Sequence, residues 1–448
     1  MTRDLEAILD TALEVMRGTR VAGEIYLEDH AIFSVTVSGG AIESLEAQEV
    51  RGAGLRLFDA GRIGFAYTAD VSAEGLREAA AMARDLLPRS DPDEHAVLPE
   101  KDESPTPEPE IYDASLARVD PQEKIRAAKR LEESARAADP RVTRVRQGRY
   151  TDVVGRVGVA STAGIRRAWP FSRAYVSIEV TAEERSELQS GWHADFAVRF
   201  GGIDPAAVGR EAALRAVAKL GAKPAPSRRA HLVLDPVVAA SLVEAISPAL
   251  HADNVLKGKS LMASRLGKPS ASAKVTLLDD GRAHGGDHSA PYDGEGVATR
   301  CSMLIEGGVL KGFLHSSYTS ERMSSAPTGN AFRASWKSPP RIGPSNLYLQ
   351  PTGATRESLL AEAGDGFLIT EVMGLHTIDP ISGDFSLGAA GLALRGGQPA
   401  HPVERVAIAG NVLDLLSSVG GVGTDLRFMP GGGAGSSTLL MDISVSGT

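Results

Sequence analysis

The residues best placed to do chemistry are two carboxylates on a glycine-jointed loop, Asp293-Gly294-Glu295-Gly296, with Arg300 shortly after. Paired carboxylates can act as general acid and base when one is held protonated near neutral pH. On so short a glycine loop, the plainer role is to accept hydrogen bonds from nearby backbone N–H groups. Together with His315 the pair could make a self-sufficient hydrolytic site. Asp279, Asp280, His284, Asp287 and His288 could gather a metal, but glycines break their segment and a polar surface loop is the plainer reading. His-Glu-x-x-His and His-Glu-x-x-x-His, which aim two imidazoles and a carboxylate at zinc from one helix, do not occur. Gly-x-Ser-x-Gly and Ser-x-x-Lys are also missing. Cys301 starts an apolar run and is expected to be buried and inert, because no activating base stands near it in sequence. The run Gly431 to Ser437 has no Lys-Ser/Thr ending, so it reads as a tightly turned connection rather than a phosphate loop.

A hairpin should position the carboxylates. Cys301 to Ile305 is one strand, Glu306-Gly307-Gly308 the turn, and Val309 to Leu314 the return strand. Thr328-Gly329-Asn330 forms a further turn. Upstream, Asp4 to Arg17 reads as a helix, and five short strands follow between Glu24 and Tyr67. Ser72, Asp120 and Asp204 look like helix caps, the last two followed by proline at the first helical position. Pro88 to Pro109 is acidic, proline-rich and expected to be an exposed connection. Short strands recur from Arg149 to Phe200. Lys223-Pro224-Ala225-Pro226-Ser227 divides the chain into expected domains of residues 1–225 and 226–448. Asp235-Pro236 opens an apolar helix through Leu250. The fold class is α+β: an N-terminal helix-and-meander α/β domain, then a mostly antiparallel, barrel-like β domain.

Composition narrows the function. The 448 residues carry 48 basic and 57 acidic side chains, a formal net charge of −9, which disfavours general nucleic-acid binding. Aromatic content of 5% argues against a stacking platform for single strands. One cysteine rules out an internal disulfide framework and fits a reducing compartment. No signal-peptide pattern opens the chain and no apolar run is long enough to span a bilayer, so a cytoplasmic location without membrane contact is expected.

Several short segments in one order are similar to the TldD/PmbA family, and more closely to its PmbA (TldE) branch. They are Lys257-Gly258-Lys259-Ser260, Tyr292 to Gly296, Gly307 to Tyr318, Thr328-Gly329-Asn330, Ser345 to Leu349, Gly383-Asp384-Phe385-Ser386, Pro402-Val403 and Ile408 to Asn411. TldD-like members carry His-Glu-x-x-x-His on a helix and a C-terminal cysteine. Here the two histidine positions fall on or near Val243 and Pro248, with Glu244 at the carboxylate, and no cysteine follows Gly420. The resemblance therefore implies a non-catalytic subunit of a heterodimeric TldD/TldE-type metallopeptidase. It also implies no cofactor in this chain, zinc in a TldD-like metal-bearing partner, and a chamber for unfolded peptide substrates bound by strand addition. A homodimer when the chain is alone is compatible with it. Asp293, Glu295, Asn330 and Asp384 are the candidates for lining the chamber. The alternatives are the self-sufficient peptide hydrolase above and a peptide-binding or assembly module unrelated to proteolysis.

Overall fold

The structure, a computed structural model, describes residues 5–101, 109–225 and 227–447. Its first half is one pattern used twice. Helix α1 (Leu5–Thr19) leads into β1 (Ala22–Ser38), β2 (Ala41–Asp59), β3 (Arg62–Thr68) and α2 (Ala73–Leu86). Helix α3 (Pro121–Ala138) then leads into β4 (Val142–Ser161), β5 (Arg166–Glu184), β6 (Glu187–Ala197) and α4 (Pro205–Val217). The two meanders join through their first strands in an antiparallel sheet ordered β3-β2-β1-β4-β5-β6. Local chemistry sets the helix starts: Ser72, Asp120 and Asp204 each accept a backbone N–H of the first turn.

The short strands expected from sequence fuse into long ones, and β1 shows why. Ile25 and Leu27 pack with α1 and α2 at one end, while Val35 and Val37 pack with α3 and α4 at the other. Between them Glu28-Asp29-His30-Ala31 is uncovered by helices, so the hydrophobic signal lapses although the hydrogen-bond ladder continues.

The connection after α2 is also more engaged than an exposed linker. The Asp93 N–H donates to the Gly61 carbonyl at 2.8 Å, the Tyr318 hydroxyl donates to the Asp93 carboxylate at 2.7 Å, and Ile111 is buried. Residues 102–108 of that expected connection, and Pro226 of the expected boundary, lie outside the described residues.

The second half runs through β7 (Lys223–Pro224), β8 (Arg228–Leu234), α5 (Pro236–Ile246), α6 (Ala252–Leu256), β9 (Leu277–Asp280), β10 (Cys301–Glu306) and β11 (Val309–Leu310). It continues with α7 (Ser317–Arg322), β12 (Ala331–Phe332), β13 (Arg341–Ile342), β14 (Leu347–Leu349), α8 (Arg356–Ala363), β15 (Phe367–Met373), β16 (Asp384–Arg395) and β17 (Gln398–Asn411). Helix α9 (Val412–Ser417), β18 (Val419–Val422), β19 (Arg427–Phe428), β20 (Gly435–Ser436) and β21 (Leu439–Gly447) complete it.

Strands β8, β15, β16, β17 and β21 pair in a ring, closed by Val406 opposite Gly447. Closure removes the exposed strand edges that an open sheet would carry. Only the β8–β15 step of that ring is parallel. The expected α+β class with a barrel-like second half is what the chain adopts. The hairpin turn narrows to Gly307-Gly308, both at positive φ, and its return strand stops at Leu310. Leu314 leaves that ladder because its backbone N–H donates to Leu250 and its side chain is fully buried. Helix α5 likewise ends at Ile246, and Ser247–Leu250 tightens into a 3-10 turn with Pro248 inside it.

Candidate functional site

Side chains alternate across a strand, so one face of β1 presents Tyr26, Glu28 and His30, and one face of β5 presents Trp169, Phe171, Arg173 and Tyr175. These faces meet the glycine loop and the Asn330 turn of the second half around an open cavity of about 310 Å³. Sequence reasoning missed this wall. The signal was there in β5 as a period of two, with aromatic and charged residues alternating with small or aliphatic ones. In β1 it was obscured because Asp29, ion-paired with Arg51, puts a charge between Glu28 and His30 and breaks the alternation.

Behind the cavity the two halves are joined by buried charge. Arg56 donates to Glu24 at 2.7 Å and to Glu295 at 2.8 Å, and Arg333 donates to Glu24, to the Gly294 carbonyl and to the Ser338 carbonyl. Glu24 is 0% exposed. Burial pushes its pKa up, but the guanidiniums of Arg56 and Arg333 outweigh that and hold it below the ordinary value. Across the cavity Arg173 bonds the Asp287 carboxylate at 3.2 Å and its carbonyl at 3.1 Å.

The predicted site residues separate. Asp293 and Asn330 line the cavity. Asp293 accepts from the backbone N–H groups of Glu295, Val297 and Ala331 at 2.9–3.0 Å, which is the turn role its glycine setting suggested. Burial, followed by the neighbouring charge of Glu295, pushes its pKa up to about 7. Glu295 points into the ion network and also accepts the Ser317 N–H at 2.9 Å. His315 sets Nδ1 3.3 Å from the Thr319 hydroxyl. Asn330 donates Nδ2 to Asp279 at 2.6 Å and to the Gly343 carbonyl at 3.1 Å, leaving Oδ1 without a partner. Burial pushes the Asp279 pKa up to about 7 despite those hydrogen bonds. Asp384 stands apart at the exposed start of β16, opposite Asn411, from which it accepts at 3.0 Å.

Of the residues that could gather a metal, Asp279 is held by Asn330 and Ser345, and Asp287 by Arg173, Tyr175 and the Gly431 N–H. Cys301 is exposed rather than buried, because it starts the strand on its outer side. Partial cover of its sulfur and the nearby Asp280 and Asp279 carboxylates raise the thiol's pKa. On α5, Val243 is buried in the core, Glu244 is exposed, and Pro248 lies beyond the helix in the 3-10 turn. Glu244 shares a surface groove with His376, a neighbour that sequence spacing gave no reason to expect. It also lies against the glycine connection, since a side-chain carbon at Gly432 would stand 3.4 Å from its Oε2.

Comparison with known proteins matches the chain in three consecutive pieces. Residues 23–87 match PmbA/TldA metallopeptidase domain 1, residues 114–220 the central domain and residues 227–447 the C-terminal domain. The chain belongs to the PmbA/TldD family. Within this family it is 27% identical to Metalloprotease PmbA of Escherichia coli, over 99% of this chain and 96% of that protein. The crystal structure of a proposed modulator of a DNA gyrase from Thermotoga maritima superposes with a TM-score of 0.90 at 27% identity, covering 99% of this chain and 100% of that one. TldE from Thermococcus kodakarensis shares the fold with a TM-score of 0.88 at 21% identity, covering 99% and 100%.

The PmbA/TldD family's description as metallopeptidases implies a metal. A catalytic zinc asks for about three protein ligands. Among the described residues no three His, Cys, Asp or Glu side chains converge, and the α5 positions offer a core valine, an exposed glutamate and a proline. The residues present do not fit a catalytic zinc. Among the described residues, no helix is long and apolar enough to cross a membrane.

Proposed function

We infer that this chain is the non-catalytic half of a heterodimeric TldD/TldE-type metallopeptidase, working in the cytoplasm on unfolded peptides. The observation that carries the reading is α5: neither histidine position holds an imidazole, and Val243 is turned into the core, where a metal ligand would have no access. Cutting chemistry then comes from a partner bearing His-Glu-x-x-x-His and zinc, whose metal lowers the pKa of bound water toward 7. This chain shapes the space through which peptide reaches that centre. Asp293 and Asn330 face that space from the cavity, Glu295 fixes the Asp293 loop from behind, and Asp384, at the exposed start of β16, is open to a second chain.

Co-expression with a relative carrying His-Glu-x-x-x-His tests the reading directly. The two chains should copurify, with about one zinc per pair, and an unfolded peptide should be cleaved only when both are present. Stoichiometric metal on this chain alone, lost on Glu244→Ala, or peptide cleavage by this chain alone, overturns the reading.

A further inference from the structure

The cavity between the two halves has a chemical bias. Its walls are aromatic: Trp169, Phe171 and Tyr175 from β5, Tyr26 from β1, and Tyr292 and Phe332 from the second half. The wall already holds cations on ring faces, with Arg333 4.9 Å from the Tyr26 centroid and Arg167 4.5 Å from that of Tyr292. The guanidiniums lining the cavity are committed. Arg173 spends its N–H groups on Asp287 and on the carbonyls of Ile111, Ser172 and Ser289, and Arg333 spends its own on Glu24, Gly294 and Ser338.

Acceptors lining the cavity keep unused capacity. Asn330 is 3% exposed, lines the cavity, and has no partner for Oδ1. His30 and His288 also line it, each with Nδ1 unpartnered, and burial keeps His30 neutral by lowering its pKa. A neutral imidazole nitrogen accepts in one of its tautomers. Glu28 bonds the Tyr26 hydroxyl at 3.1 Å and belongs to no ion pair among the described residues; burial raises its pKa.

An anion placed here would face Glu28 and Asp293 with no free guanidinium to meet it. A purely apolar group would leave Asn330 Oδ1 and Glu28 desolvated without compensation, which is costly. A group rich in N–H donors and carrying positive charge satisfies every wall at once, by ring-face attraction and by charge-assisted hydrogen bonds. We propose that this cavity binds the ammonium or guanidinium of a basic peptide side chain, seated among the aromatic rings and met by Glu28, Asp293 and Asn330. The proposal deepens the function inferred above, on which it rests for the peptide itself, by stating what that peptide carries. At about 310 Å³ the cavity is at the small end of ligand pockets, enough for one long side chain rather than a folded domain.

The test uses the isolated full chain and dye-labelled, N-acetylated, unstructured peptides that differ at one residue: lysine, arginine or norleucine. Anisotropy should show the lysine and arginine peptides binding about tenfold or more tightly than the norleucine peptide. Glu28→Gln and Trp169→Leu should each erase that preference with the far-ultraviolet circular dichroism unchanged. Glu43→Gln, which removes one charge at an exposed position of β2, should keep it. Equal affinities, no binding of any peptide, a preference that survives both cavity substitutions, or one lost equally in Glu43→Gln overturns the proposal. Pairing with a metal-bearing chain is read separately by copurification, so either idea can fail while the other stands.

Discussion

Asp279 and Asp293 show how little a carboxylate's identity says about its state. Both are pushed from the ordinary range up to about 7, chiefly by burial, although both accept hydrogen bonds that favour the ionised form. A carboxyl whose pKa is raised on folding holds its proton better in the native state. Its stabilising contribution is therefore complete below the unfolded value of 3.8 and is lost as pH rises toward 7. Asp279→Asn removes that titration. The melting temperature of the variant minus that of the unmodified chain should climb between about pH 4 and pH 7 and level off above. A difference that stays constant across this range would sink the assignment. The turn role of Asp293 was legible because glycine neighbours free the backbone to point N–H groups at it. The burial of Asp279 was not, since it depends on Asn330 and Ser345, more than fifty positions away.

At the scale of elements, starts were easier to read than extents. The caps at Ser72, Asp120 and Asp204 work over three or four residues, so composition alone exposes them. Strand lengths and the end of the hairpin depend on what covers them, as Leu314 shows by leaving its partner strand for Leu250. Helix α2 lies so close to β3 that a side-chain carbon at Gly64 would stand 1.8 Å from the Ala83 carbonyl oxygen. Gly64→Ala should push the helix outward and cost on the order of 1–3 kcal/mol in urea unfolding. Gly201→Ala, where nothing lies within 4 Å and φ is not positive, serves as the control and should change stability by less than about 0.5 kcal/mol. Equal effects at the two positions would show that helix–strand proximity is not what Gly64 provides.

For the molecule as a whole, the decisive contacts are the ionic bridges between halves. Glu24 and Arg56 meet Glu295 and Arg333, and Arg173 meets Asp287. Removing one member of a buried ion pair leaves its partner uncompensated, at a cost of about 3–5 kcal/mol. Glu24→Gln strands Arg333 in this way. Calorimetry of the unmodified chain should show one transition, while Glu24→Gln combined with Arg173→Met should let the halves melt separately. A double variant that still melts in one transition at an unchanged temperature would mean the halves are coupled by packing instead.

The sequence by itself was enough to determine the helix starts, the α+β class, the family and the lack of imidazoles on α5, because each is written in adjacent residues or in short segments in a set order. Only the tertiary structure decided that Asp293 and Asn330 share a cavity while Asp384 does not, that Glu244 has His376 for a neighbour, and that β1 and β5 supply the cavity's aromatic and acidic wall. Those facts require residues from tens to hundreds of positions apart to approach within a few ångströms. Strand closure and burial bring them together, and neither leaves a local trace in residue type or spacing.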